Sequence, residues 1–100
     1  MRSDDVIARL KQTEPVLRGL GISALYLFGS HARGEARADS DVDVFVDPES
    51  SGHFGFLQYM DAYEKIQKAI GEDVALGYST REGLSPYVRP DVEREAVRVF

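Results

Sequence analysis

The spacing of apolar residues changes several times along the chain between a helical and a strand-like period. In residues 3–20 apolar side chains recur at helical spacing, and Pro15 predicts a kink in this helix or a break near Thr13. Residues 23–28 are almost wholly apolar and aromatic, which predicts a buried central strand. Residues 29–34 follow at once and predict a tight turn that runs into a short helix.

Residues 41–47 alternate with a period of two and predict a second strand. One face of this strand is expected to carry three valines, Val42, Val44 and Val46. The opposite face is expected to carry Asp41, Asp43 and Phe45. The two carboxylates therefore leave the strand on the same side, away from the valines.

The second half of the chain predicts a helix, a strand and a final helix. Residues 54–70 predict a helix with one apolar stripe, and Gly71 marks its end. The stripe consists of Leu57, Met60, Tyr63, Ile66, Gln67 and Ile70. Residues 73–78 predict a short third strand, and Pro90 can open a last helix. The inward residues of that helix are expected to be Val92, Ala96 and Val99. The order α-β-α-β-α-β-α predicts one small α/β layered domain over residues 1–100.

Composition narrows the class of protein. The chain is 43% hydrophobic and 29% charged, which is typical of folded domains rather than disordered ones. The absence of cysteine excludes a disulfide framework, a thiolate zinc site and a cysteine nucleophile. No apolar run reaches about 18 residues, and Asp4, Asp5 and Arg9 interrupt the segment where a signal peptide needs apolar residues. We therefore expect a cytoplasmic protein that does not enter a membrane.

The net negative charge of the chain indicates which classes of ligand it can bind. The net charge is -5 and the isoelectric point is about 4.9. Nucleic-acid binding draws much of its affinity from cations that neutralise phosphates, so we expect no direct binding of long DNA or RNA. The acidity is compatible with metal ions and with phosphates that arrive complexed to a metal.

The turn after the first predicted strand has the chemistry of an anion site. Gly29 has no Cβ, so a ligand can approach the backbone closely there. A helix that begins at Ser30 would direct free N–H groups at the same place, and the Ser30 hydroxyl could add one more donor. The spacing is neither that of a Walker loop nor that of a dinucleotide-binding fingerprint.

Asp41 and Asp43 lie two apart on a strand, about 6.6 Å from each other along the backbone. Such a pair can hold two ions about 3.5–4 Å apart, the usual spacing in two-metal phosphoryl-transfer sites. Hard oxygen ligands with no cysteine or histidine cluster nearby favour Mg²⁺ or Mn²⁺. A nucleoside triphosphate, with about four negative charges, needs such cations to approach two carboxylates.

Several of these residues also have a plainer interpretation. Arg33 can pair with Glu35 or with another local carboxylate. His31 is expected to face solvent, and His53 has no visible partner. The spacing of Phe56, Tyr59 and Tyr63 indicates core or interface positions rather than a platform for a base. The functional interpretation rests on the conjunction of the turn and the aspartate pair.

That conjunction resembles the nucleotidyltransferase superfamily that includes DNA polymerase β. The matching residues are Gly29-Ser30-x-Ala32-Arg33-Gly34 and Ser40-Asp41-x-Asp43. The likeness is to its minimal nucleotidyltransferase branch, single-domain proteins encoded beside HEPN-domain partners in toxin–antitoxin pairs. The resemblance implies a small mixed β-sheet flanked by helices. It also implies Mg²⁺-dependent transfer of AMP from ATP to a hydroxyl.

The resemblance assigns roles to the motif residues. It implies that Gly29 and Ser30 hold the β and γ phosphates, that Arg33 joins them in binding the nucleotide, and that Asp41 and Asp43 bind two Mg²⁺ ions. The implied acceptor is a tyrosine of the HEPN-type toxin, which AMP addition silences. Since 100 residues leave no room for a second domain that closes over the nucleotide, we expect a partner chain, or further copies of this chain, to complete the site.

The chain departs from the family pattern at the third carboxylate, which catalytic members carry on the next strand within Val-Asp-Leu. One match to residues 72–77 puts Ala75 at that position, and another puts Gly77 there. Asp73 is the alternative, but it lies one or two pleats away on the predicted strand, about 7 or 13 Å.

Two hypotheses follow from this departure. In the first the chain is an adenylyltransferase that acts as an antitoxin, with Asp41, Asp43 and, if the register shifts, Asp73 in catalysis. In the second it is a catalytically impaired antitoxin of the same fold that neutralises its partner by binding alone.

Overall fold

A computed structural model describes all residues, 1–100, and contains nine helices and strands. In chain order they are α1 (Ser3–Lys11), α2 (Glu14–Gly19), β1 (Ile22–Phe28), α3 (Ser30–Arg33), β2 (Val42–Pro48), α4 (Phe56–Ile70), β3 (Leu76–Thr80), α5 (Arg89–Glu95) and β4 (Val97–Arg98). None of the helices has the length and apolar character needed to cross a bilayer.

The four strands form one mixed sheet in the order β3-β2-β1-β4. β1 pairs antiparallel with both β2 and β4, whereas β2 and β3 are parallel. The parallel pair needs a crossover connection, and α4 supplies it. The small mixed α/β sheet expected from the sequence is confirmed.

One face of the sheet carries the hydrophobic core. Val42, Val44 and Val46 are fully buried there, as their alternation predicts. Because Leu25 and Leu27 are register partners of two of these valines, they lie on the same face. Helices α1, α2 and α4 cover this face with apolar side chains, among them Val6, Leu10, Leu17, Ala62, Ile66 and Ile70.

The opposite face is aromatic at its centre. The ring of Phe45 is fully buried and stacks on Tyr26 at a centroid distance of 4.8 Å. The Arg81 guanidinium lies over both rings and holds Asp47 with two hydrogen bonds of 2.8 Å. It also pairs with Glu93 of α5 at 2.6 Å, so this arginine fastens the last helix to the sheet.

The predicted break in the N-terminal helix is confirmed. α1 ends at Lys11 and α2 begins at Glu14, with Pro15 in its first turn, where the missing N–H costs nothing. The side chain of Thr13 turns back and donates a hydrogen bond of 2.6 Å to the carbonyl of Leu10.

The predicted stripe of α4 is wrong at its N-terminal end. Leu57 is 73% exposed and Met60 is 39% exposed, whereas the buried residues of the helix are Ala62, Ile66 and Ile70. Tyr59 and Tyr63 pack their rings on Tyr78 of β3, but Phe56, expected in the same core or interface set, is 75% exposed. The start of α4 therefore extends beyond the sheet that it covers farther along.

Two boundaries in the C-terminal half differ from those predicted. β3 begins at Leu76, because residues 71–74 form a turn in which the Gln67 amide donates to the carbonyls of Gly71 and Val74 at 2.8 Å. The last helix ends at Glu95, and the chain then pairs with β1 as β4. Val99 is buried as expected, but it lies beyond the helix, on the extended segment whose N–H donates to Leu25.

Candidate active site

The turn after β1 brings several unused donors to one place. Gly29 has a φ of +76°, in the left-handed region that favours glycine, and this lets the chain reverse into α3. The N–H groups of Ser30 and His31 and the Ser30 hydroxyl donate to no acceptor in the protein. The turn can therefore offer these donors to a phosphate group.

Asp43 lies beside this turn, between two glycines. On the sheet it is the register partner of Phe28 on one side and of Gly77 on the other. A Cβ built at Gly29 would overlap its Oδ2, and a Cβ built at Gly77 would overlap its Oδ1. The carboxylate thus fills a cradle that two missing side chains leave open.

The electrostatics of Asp43 favour a cation. Its carboxylate is half-buried and makes no hydrogen bond or ion pair within the protein. Burial raises the pKa of Asp43, and the nearby charge of Asp41 raises it further, while His31 and Arg33 oppose the shift. Asp41 is exposed and lies directly before β2, so the strand start predicted at residue 41 is one residue early. The two carboxylates fit a hard divalent cation, because such an ion would neutralise a pair that the protein leaves uncompensated.

The place beside Asp43 on the neighbouring strand is held by a glycine. The register of β2 and β3 puts Gly77 directly opposite Asp43, and Gly77 is the position that one of the two sequence matches gives to the third carboxylate. Ala75 precedes β3 and accepts a hydrogen bond of 2.9 Å from the Val42 N–H through its carbonyl. No group of three or more histidine, aspartate or glutamate side chains converges in the structure.

Asp73 lies in the turn before β3, so the strand alternation used to locate it does not apply. A Cβ at Gly71 would lie 3.1 Å from Asp73 Oδ1, which shows that the carboxylate points back along the turn. Together with Asp39 and Ser40, Asp73 lines a separate cavity of about 330 Å³. Gly77 of the glycine cradle is not among the lining residues of this cavity.

Arg33 forms the local ion pair with Glu35 that its plainer interpretation predicts. Its Nε donates to Glu35 at 2.6 Å, and its Nη1 donates to Glu95 at 3.2 Å. These hydrogen bonds raise the pKa of Arg33, and the one to Glu35 contributes most. Glu95 also accepts a hydrogen bond of 3.1 Å from the Gly29 N–H. Sequence reasoning missed Glu95, because it lies 66 residues after Gly29 and no spacing rule connects the two.

His31 is buried rather than solvent-facing, and that expectation is wrong. It is 5% exposed, and its Nδ1 lies 2.8 Å from the Ser3 hydroxyl of α1. Burial and the charge of the N-terminus lower the pKa of His31, although the Ser40 backbone and Asp43 act in the opposite direction. The neutral ring therefore ties the turn to the first helix.

The comparisons with known proteins agree with this geometry. The family model described as polymerase beta, nucleotidyltransferase matches residues 11–85. The chain is 32% identical over 79 residues to an inferred protein adenylyltransferase of Methanocaldococcus jannaschii, covering 78% of this chain and 77% of that protein. It is also 32% identical over 74 residues to the protein adenylyltransferase MntA of Thermococcus cleftensis, covering 72% and 73% of the two chains.

Solved structures show the same fold. An inferred minimal nucleotidyltransferase superposes with a TM-score of 0.79 at 31% identity, covering 97% of this chain and 95% of the other. A chain from a toxin–antitoxin structure with AMP-PNP superposes with a TM-score of 0.64 at 18% identity, covering 100% of this chain and 73% of that chain. Sequence match, fold and the arrangement of the turn beside the aspartate pair lead to the same assignment. The chain belongs to the polymerase β nucleotidyltransferase family and is similar to its minimal nucleotidyltransferases.

Proposed function

We propose that this chain is a single minimal nucleotidyltransferase domain that transfers AMP from ATP to a hydroxyl of a toxin partner and so acts as an antitoxin. The observation that carries the proposal is the Asp43 carboxylate, which lies unpaired in a glycine cradle beside a turn with unused donors. The two relatives with protein adenylyltransferase names support the reaction class.

Each residue of the motif has a part in the proposed reaction. The N–H groups of the turn and the Ser30 hydroxyl bind the β and γ phosphates, and Arg33 adds a positive charge nearby. Asp41 and Asp43 would hold two Mg²⁺ ions, and ions bound there would supply positive charge that offsets the negative charge of the triphosphate and of the leaving pyrophosphate. Because Asp43 and the turn are held by the adjacent strands β2 and β1, the nucleotide is bound in one orientation.

In the transfer step the acceptor oxygen forms a bond to the α-phosphorus of ATP, and the bond from that phosphorus to the bridging oxygen breaks. Pyrophosphate leaves, and the hydroxyl proton passes to water. Since Gly77 supplies no carboxylate to take this proton, we expect slow turnover compared with members that have a third acid. The proposed acceptor is a tyrosine of a HEPN-type toxin.

The absence of a carboxylate at Gly77 favours a second candidate function, an antitoxin that neutralises its partner by binding alone.

The two candidate functions can be distinguished by incubating the protein with the product of the neighbouring gene, labelled ATP and Mg²⁺. We expect label on the partner with native protein and none with Asp41→Asn or Asp43→Asn. A tight complex without label, unaffected by either substitution, would indicate the binding function.

Two further variants serve as matched comparisons in the same assay. Asp39→Asn removes a carboxylate just before the pair, at an exposed position, and should leave labelling unchanged. Asp73→Asn tests the remaining candidate for a third acid. We expect it to retain labelling, since its carboxylate points back along the turn before β3.

A further inference from the structure

A carboxylate outside the motif already accepts hydrogen bonds from two donors at the turn. Glu95 is the last residue of α5, and its side chain is only 25% exposed. Its Oε1 accepts a hydrogen bond of 3.1 Å from the Gly29 N–H. Both of its oxygens also lie within hydrogen-bond distance of Arg33 Nη1, at 3.3 and 3.2 Å.

These donors are the kinds of group that bind phosphate. A backbone N–H and a guanidinium recognise a carboxylate and a phosphate oxygen in the same way, through charge-assisted hydrogen bonds. In the protein without nucleotide the negative charge of Glu95 therefore offsets part of the positive potential at the turn. Its charge is also close enough to Asp43 to help raise the pKa of that carboxyl.

We infer that Glu95 is a specificity-determining residue that competes with the triphosphate at the turn, an inference that rests on the proposed function. A triphosphate must either displace Glu95 from Gly29 and Arg33 or bind next to its charge. Each route weakens binding, and the repulsion grows with the negative charge of the ligand. Free ATP carries about four negative charges and ATP with one Mg²⁺ about two, so Glu95 selects for the metal-complexed nucleotide.

The test is the Glu95→Gln variant, whose side chain keeps the size of glutamate and an oxygen that can accept from the Gly29 N–H. We expect the Kd for ATP with Mg²⁺, measured by titration calorimetry, to fall about two- to fivefold, the range typical of a partly exposed ion pair. The Kd for ATP in EDTA should fall by a larger factor. A residue that only supports the fold would not change the ratio of these two constants in this direction.

Glu93→Gln is the matched control. Glu93 lies two residues away on the same helix and pairs with Arg81 at 2.6 Å, away from the turn. This variant removes the same charge from α5 but should leave both constants near the native values. If both variants bind ATP more tightly than native protein by the same factor, the cause is the change in net charge. That result would overturn the inference.

The remaining outcomes separate this inference from the function on which it rests. If native protein binds ATP with Mg²⁺ and Glu95→Gln binds no more tightly, the competition is absent and the proposed function stands. If neither protein binds ATP with Mg²⁺, the proposed function fails and the inference fails with it. If Glu95→Gln does not fold, as judged by circular dichroism, Glu95→Ala carries the same expectation.

Discussion

At the residue scale, the surroundings of Asp43 combine tight packing with missing polar partners. Its two oxygens occupy the space in which side chains of Gly29 and Gly77 would otherwise lie. No donor of the protein reaches the carboxylate, and Asp41 adds a like charge nearby. A carboxylate in such a place costs stability when it is ionised, and the proposed cation would offset that cost.

The raised pKa of Asp43 predicts how stability depends on pH in metal-free protein. Because the folded-state pKa lies above the ordinary value of 3.8, the stability that proton binding at Asp43 contributes is fully present below pH 3.8. It is lost as the pH rises through the folded-state value. In EDTA, Asp43→Asn should therefore be more stable than native protein at pH 7, with a difference that shrinks as the pH falls towards 4.

Urea unfolding at several pH values measures this difference. Asp39→Asn, which removes the same charge at an exposed position, serves as the comparison. A native protein that is more stable than Asp43→Asn at pH 7 without metal would contradict the account of Asp43 given above.

The cradle predicts the effect of adding one methyl group. In Gly77→Ala the new Cβ would overlap Asp43 Oδ1, so the carboxylate must rotate away from its present position. We expect weaker Mg²⁺ binding and a loss of about 0.5–1.5 kcal/mol in the free energy of unfolding, the cost of a side chain forced off its rotamer. Gly19→Ala is the control, because nothing lies within 4 Å of its new Cβ and α2 favours alanine. Unfolding curves and calorimetric Mg²⁺ titrations of the two variants provide the comparison, and equal behaviour would argue against the cradle.

At the scale of the elements, the burial of side chains along α4 depends on whether the sheet lies beneath them. Its middle and C-terminal end bury Ala62, Ile66 and Ile70, while Phe56 and Leu57 in its first turn are about three-quarters exposed. The helical period is the same throughout. What changes along the helix is the presence of a neighbouring element.

This contrast predicts unequal costs for two substitutions in one helix. Ile66→Ala removes a fully buried side chain from the core and should lower the free energy of unfolding by about 2–5 kcal/mol. Leu57→Ala removes an equally large side chain that is 73% exposed, and it should cost less than about 1 kcal/mol. Denaturant unfolding of both variants measures the costs, and similar values would show that the start of α4 is covered in solution.

Sequence patterns predicted the elements whose causes are local. The break near Thr13 follows from Pro15, and the turn after β1 follows from a glycine directly after a buried strand. The position of Asp43 on the face opposite the valines followed from a period of two, whereas Asp41 lies one residue before β2. Each of these features is determined by residues within a few positions of it along the chain. A local sequence pattern is therefore enough to predict it.

Features that depend on distant parts of the chain were predicted less well. The start of β3 is delayed by the Gln67 side chain, and the end of α5 is set by pairing of Val97 with Leu27. The burial of His31 requires the Ser3 hydroxyl of α1. Glu95 reaches the turn only after the sheet has brought α5 and β1 together. None of these contacts leaves a periodic signal in the sequence.

At the scale of the whole molecule, the two faces of the sheet are covered unequally. Helices α1, α2 and α4 enclose the valine face, whereas α5 is the helix that packs against β1 on the face of Asp43. Asp41 stays exposed directly before β2. We propose that the toxin partner completes this side of the site, which agrees with the large share of phosphoryl-transfer catalysis that positioning supplies.

The glycine opposite Asp43 also constrains how such a protein can evolve. An acid at position 77 would place its Cβ where Asp43 Oδ1 now lies, so the Asp43 side chain would have to turn aside to admit it. Gaining a third acid at this point therefore means losing the present placement of the second. A single exchange at Gly77 does not simply add a ligand to the site, because it rearranges one that is already there.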